Sequence, residues 1–155
     1  MRDRQGRVCV KTILVSAALA LAISGSAMAQ NAARTYDLGP VWQVSYIETK
    51  PGMFDDYMAY LNSTWRNIQE AEKAKGDVLD YRVLSVESPR DGEADVILMI
   101  QYKNMAVFDR SLDEGEAIMA KTFGSVPKSN QAAVSRESIR DLRGGLIARE
   151  LKFKN

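Results

Sequence analysis

Five consecutive residues, Val96-Ile97-Leu98-Met99-Ile100, are apolar without a break. A strand turns alternate side chains to opposite faces, so such a run expects cover on both sides and belongs inside a sheet. The chain is therefore expected to build around a strand over residues 94–102, with other strands beside it. The neighbouring segments have the periodicities of elements with one buried face.

Before this strand, Trp42, Val44 and Tyr46 alternate with Gln43 and Ser45, which predicts a first strand over Val41–Ile47. Residues 30–40 read as a loose lead-in punctuated by Gly39-Pro40, and Lys50-Pro51-Gly52 stops the strand. Phe54, Tyr57, Met58, Leu61, Trp65 and Ile68 then fall on one helical stripe. Asp55 and Asp56 suit the first turn and Gly76 the end, so a helix is expected over Met53–Lys75. Val78–Val86 reads as the second strand, with a turn at Ser88–Gly92.

Beyond the third strand, Asn104 is a good cap for a helix whose stripe is Met105, Phe108, Leu112, Met119 and Phe123. Pro127 breaks it. A third, more polar helix is expected over Asn130–Arg143, ended by Gly144-Gly145. The last strand, Ile147–Lys154, should turn Leu151 and Phe153 inward and Glu150, Lys152 and Lys154 outward. Leaving out the extra helix before the last strand, this order is the split βαβ pattern of ferredoxin-like folds. The expected class is α+β: four antiparallel strands with helices on one face. A sheet with helices on one side and a strand apolar on both leaves a bare apolar face, and such faces are usually interfaces. A homodimer with its two sheets face to face is expected.

Residues 1–29 are read as a cleaved secretory signal. Arg2, Arg4, Arg7 and Lys11 make a basic start, and Thr12–Ile23 is an uncharged run broken only by Ser16. Ala27-Met28-Ala29 gives the small-x-small pattern of a cleavage site. The run is too short for a spanning helix of about 20 residues. The domain proper is then 41–155 after a lead-in at 30–40, exported to a periplasm or beyond. The one cysteine, Cys9, precedes the apolar run and leaves with the signal, so no disulfide is expected and stability must come from a core. Past residue 29 there are 17 basic and 19 acidic residues, a net charge of −2. A weakly acidic surface argues against nucleic acid and against a polybasic membrane dock.

Lys50-Pro51-Gly52, then Phe54, Tyr57, Leu61 and Trp65, then Gly76 and the strand Leu79–Val86, resembles the dimeric α/β-barrel superfamily, especially its small secreted members without an assigned function. The match spans Trp42 to about Arg110 plus the final strand. The resemblance implies a ferredoxin-like dimer. It also implies a choice among cofactor-free monooxygenases, haem-degrading enzymes, lactone isomerases, polyketide cyclases and members without known activity. In the enzymes that this chain resembles, Trp, Tyr, Asn and Arg line a pocket between sheet and helices.

The chain has no histidine. Ser-His-Asp and Cys-His catalysis and a His-ligated haem are therefore excluded, and zinc would have to rely on carboxylates. The acidic clusters at Asp55-Asp56 and Asp113-Glu114-Glu116 lack the alternating ligands and tight glycine turn of a calcium loop and read as solvated helix faces. No cofactor and no metal is expected. Arg136, Arg140 and Arg143 share one face of the expected third helix, where they could hold an anion, but Glu137 and Asp141 interleave with them. Candidate ligand-pocket residues are Tyr57 and Trp65 on the first helix, Phe108, and two strand arginines, Arg82 and Arg149. Arg149 should share a face with Ile147, Leu151 and Phe153 and so needs an acid, an anionic ligand or a route to water. The reading that follows is an exported homodimer that binds a small, partly apolar molecule or is non-catalytic. The alternative is a cofactor-independent monooxygenase- or isomerase-like enzyme on an aromatic or enolic substrate.

Overall fold

The computed structural model describes residues 34–154. The signal reading for 1–29, with Cys9, lies outside the described residues. The first strand, β1 (Tyr36–Thr49), leads through Lys50-Pro51-Gly52 into α1 (Phe54–Tyr60). A π-helical turn (Leu61–Trp65) joins α1 to α2 (Arg66–Lys75), giving the one long helix expected there. Gly76 ends it in the left-handed conformation, φ +83°, open to glycine at little cost. Strands β2 (Val78–Ser85) and β3 (Val96–Tyr102) follow. A short 3-10 helix (Met105–Asp109), α3 (Leu112–Phe123), α4 (Val126–Arg136) and β4 (Arg140–Phe153) complete the chain.

The strands form one antiparallel sheet in the order β2-β3-β1-β4. That is the ferredoxin-like arrangement, and β3 is internal, as its apolar run requires. Ile47 pairs with Val96 and Ser45 with Leu98, which places these four on the helix side. There Ile47, Val96 and Leu98 pack with Tyr57, Leu61 and Trp65 as one buried cluster, extended by Ile100 and Ile139. The stripe of the first helix is thus the core stripe. The alternate residues Trp42, Val44, Tyr46, Ile97 and Met99 lie on the opposite face. They are half-buried.

Three expectations are corrected. First, β1 begins at Tyr36, so Tyr36–Pro40, expected as a loose lead-in, is strand: Tyr36 pairs with Phe153 and Leu38 with Leu151. Gly39-Pro40 marks a bulge between Leu38 and Val41, a place where a residue without an N–H is tolerated. Second, one expected helix is two pieces. Asn104 does cap, accepting from the Ala106 N–H at 2.9 Å, but it caps the 3-10 turn. Ser111 then starts α3 with a full capping box against Glu114.

Third, the polar helix stops at Arg136 and β4 starts at Arg140, seven residues before the expected strand. Residues 140–143 carry no strong strand propensity. They are held extended by pairing with Thr49, Glu48 and Ile47 and by the Lys50 ammonium, which donates to both Asp141 carboxylate oxygens at 2.7 Å. Gly144-Gly145 is therefore not a helix stop. Both glycines are paired strand residues, Gly144 with Tyr46 and Gly145 with Ser45, beside a bulge that leaves Arg143 as the extra residue; Gly144 has φ +139°, and a Cβ on Gly145 would meet the Val44 carbonyl oxygen at 2.7 Å. The inward turn expected for the strand end also fails: Leu151 is exposed and Phe153 is 82% exposed.

Candidate functional site

The five candidate pocket residues do not converge. Tyr57, 2% exposed, and Trp65, 9% exposed, belong to the core cluster. Tyr57 stacks on Tyr60 with ring centroids 6.0 Å apart, and Trp65 meets Tyr81 edge-on at 5.4 Å. Burial pushes the Tyr57 hydroxyl up to about 12, even though Arg140 and Arg136 pull it down. Arg82 lies on the far face of the sheet, 5.7 Å over the Trp42 ring and paired with Asp80 at 3.2 Å. Phe108 sits in the 3-10 turn, edge-on to Tyr102 at 5.1 Å. Arg149 is half-buried opposite Val41, with no salt bridge to an acid among the described residues. The residues expected to share its face, Ile147, Leu151 and Phe153, are exposed, and the buried neighbour of Arg149 is Val41 on β1.

Two other places gather chemistry. The first is a groove of about 320 Å³ between α2 and α3, floored by Glu72, Lys75, Asp77 and Arg110. Glu72, 6% exposed, takes Lys75 and Arg110, each at 2.6 Å, and Arg110 also reaches Asp77 at 2.6 Å. These charges pair mainly with one another, which makes the groove floor an ion-pair network. Burial alone would raise the Glu72 pKa, but hydrogen bonds from Lys75 and Arg110 outweigh it and hold the carboxyl below its usual 4.5. A carboxylate held down in the folded state adds stability above its unfolded pKa and loses it as pH falls through the folded value. Glu72→Gln is therefore expected to cost about 1–3 kcal/mol at pH 7. It should also flatten the loss of stability below pH 4.5. Urea unfolding of both proteins at a series of pH values checks this; parallel acid limbs would contradict it.

The second place is a hollow of about 410 Å³ beside the π-helical turn. Tyr60 and Thr64 come from the first helix, Phe123 from α3, Ala132 and Arg136 from α4, and Ile139 from the turn into β4. The walls are mainly apolar. The Arg136 guanidinium lies over the Tyr60 ring, 5.0 Å from its centre. Arg140, the first residue of β4, acts with Arg136 on the Tyr57 hydroxyl. Arg143, the third member of the expected helical trio, turns elsewhere and pairs with Glu48. The arginine spacing was visible in the sequence, but the grouping changed because the chain leaves the helix between Arg136 and Arg140. The Glu72–Arg110–Asp77 network carried no sequence signal, since Arg110 stands 33 residues from Asp77 in the chain. Among the described residues no three acids, cysteines or histidines gather as metal ligands.

The strand order, the antiparallel pairing and the helices on one side define an α+β domain of ferredoxin-like fold. This is the fold that the resemblance to the dimeric α/β-barrel superfamily implied. Among solved structures the chain is similar to HapK from Hahella chejuensis, with a TM-score of 0.51 at 10% identity over 74% of this chain and 96% of that one. It is also similar to a dimeric ferredoxin-like protein from an uncultured marine organism, at 17% identity, TM-score 0.45, covering 77% and 99%. A dimeric protein of unknown function and ferredoxin-like fold from Bacteroides fragilis matches at 13% identity, TM-score 0.37, covering 75% and 97%. At these identities the likeness speaks for the fold alone. No protein-family model and no curated protein matches the sequence.

Proposed function

We propose that this chain is an exported homodimer that binds a small, partly apolar molecule without transforming it. The observation that carries the binding reading is the hollow between the first helix and α3–α4. Its volume of about 410 Å³ falls in the range of small-molecule sites, about 300–1,000 Å³, and its walls are apolar with few polar groups. Turnover would need a group that gives and takes a proton near neutrality. Tyr57 stays protonated up to about 12, and no carboxylate lines the hollow. The alternative, a cofactor-independent enzyme on an aromatic or enolic substrate, would want Trp65 at a pocket wall, whereas Trp65 is packed into the core.

The dimer follows from the face that carries Trp42, Val44, Tyr46, Ile97 and Met99. A second copy presents the same apolar surface, and a two-fold axis makes it self-complementary. A standard interface buries about 1,600 Å² in total. Export rests on the pattern of residues 1–29, and an intact mass starting at Gln30 in exported material is its expected signature.

The test of binding is thermal unfolding of that exported protein against small aromatic and aliphatic amphiphiles. A ligand that binds only the folded state stabilises it by about 2.7 kcal/mol at a hundred times its Kd. At least one member should raise Tm and be recovered unchanged. A panel without any shift, or one whose members are converted, would overturn the reading.

A further inference from the structure

Arg136 and Arg140 each bury one guanidinium nitrogen, Nη1, without a hydrogen-bond acceptor among the described residues. Arginine stays charged and carries five N–H donors. A buried cation with an unmet donor is costly unless something pairs with it. Three other arginines are matched by acids: Arg110 to Glu72 and Asp77, Arg82 to Asp80, Arg143 to Glu48.

The nearby acids give neither nitrogen a hydrogen bond. Glu137 Oε1 stands 3.5 Å from Arg140 Nη1, outside good hydrogen-bond geometry, and the Glu137 side chain is 61% exposed. Asp95 is engaged by Thr49, whose backbone N–H donates at 2.9 Å and whose hydroxyl donates to the other oxygen. The Tyr60 ring covers one face of the Arg136 plane, but ring contact leaves the in-plane N–H donors free to bond. The turn between the two arginines is held by Lys50, whose backbone N–H donates to the Ile139 carbonyl at 3.0 Å. Arg136 and Ile139 both line the hollow, so the cationic end and the apolar walls are continuous.

We propose that Arg136 and Arg140 hold the carboxylate of a small amphiphilic monoanion whose apolar tail occupies the hollow. This rests on the reading of the hollow as a small-molecule site and adds the class of its ligand. Two guanidiniums partly offset by Glu137 and Asp95 suit a single negative charge better than a dianion. Walls formed by Phe123, Ala132 and Ile139 suit a hydrocarbon tail better than a bare inorganic ion.

Calorimetric titration with octanoate, 1-octanol and inorganic phosphate tests the proposal. Charge-assisted bonds to both arginines should make octanoate bind at least about tenfold more tightly than 1-octanol, with phosphate far behind. Arg136→Met should bring octanoate down to the affinity of 1-octanol and leave 1-octanol unchanged. Equal affinities for octanoate and 1-octanol, phosphate bound as tightly as octanoate, or an Arg136→Met protein that keeps its octanoate affinity overturns the proposal. If 1-octanol binds and octanoate gains nothing, only the anion site falls. If neither binds, the small-molecule reading falls with it. Should Arg136→Met fail to fold, Arg140→Gln supplies the mutant arm, and the wild-type comparison decides alone if both fail.

Discussion

Met99→Arg is expected to split the proposed homodimer. Met99 sits at the middle of β3, between Val44 on β1 and Arg82 on β2, on the face without helices. In a face-to-face dimer the two-fold axis places the new charge twice, beside the existing Arg82 cations. A buried charge left without a partner costs about 3–5 kcal/mol. Two of them should lower the association constant by more than about a thousandfold. The protomer itself should stay folded, because Met99 is outside the buried core cluster. Met99→Leu, close in volume, should remain dimeric. Sedimentation at micromolar concentration separates the outcomes, and an undisturbed dimer in Met99→Arg would place the interface elsewhere.

Tyr57→Ala should cause the largest loss of protomer stability. The ring is 2% exposed and packs in the cluster with Ile47, Leu61, Trp65, Val96 and Leu98, so it ties the first helix to both central strands. Truncating a buried aromatic to alanine costs about 3–5 kcal/mol through lost transfer energy and the cavity left behind. That is a large part of the roughly 5–15 kcal/mol a domain has. Tyr57→Phe keeps the ring and should cost less than about 1.5 kcal/mol. Urea unfolding reads both. A drop below about 1 kcal/mol for Tyr57→Ala would mean that the cluster is not the centre of the core.

The sheet and the first helix were legible in the sequence because local pattern and tertiary demand agree there. The unbroken Val96–Ile100 run is internal, and the stripe from Tyr57 to Trp65 is the core stripe. The Ser111–Glu114 capping box was also present in the sequence, but the apolar stripe running through it from Met105 to Phe123 hid the break. Residues 140–145 could not be read locally. Their strand state is imposed by pairing to β1 and by Lys50 on Asp141, contacts between segments some ninety residues apart. A helix carried on to Arg143 would line three arginines on one face; with the chain turning at residues 137–139, Arg136 lines the hollow, Arg140 opens β4 and Arg143 goes to Glu48. Leu151 and Phe153 alternate as inward residues should, yet β4 is an edge strand that runs past the helices, so alternation there had no core to face.

What covers the open sheet face is tested most directly by the molar mass of the unmodified protein in solution. Light scattering across micromolar concentrations should give twice the protomer mass throughout. A protomer mass that holds over the same range would contradict the face-to-face dimer.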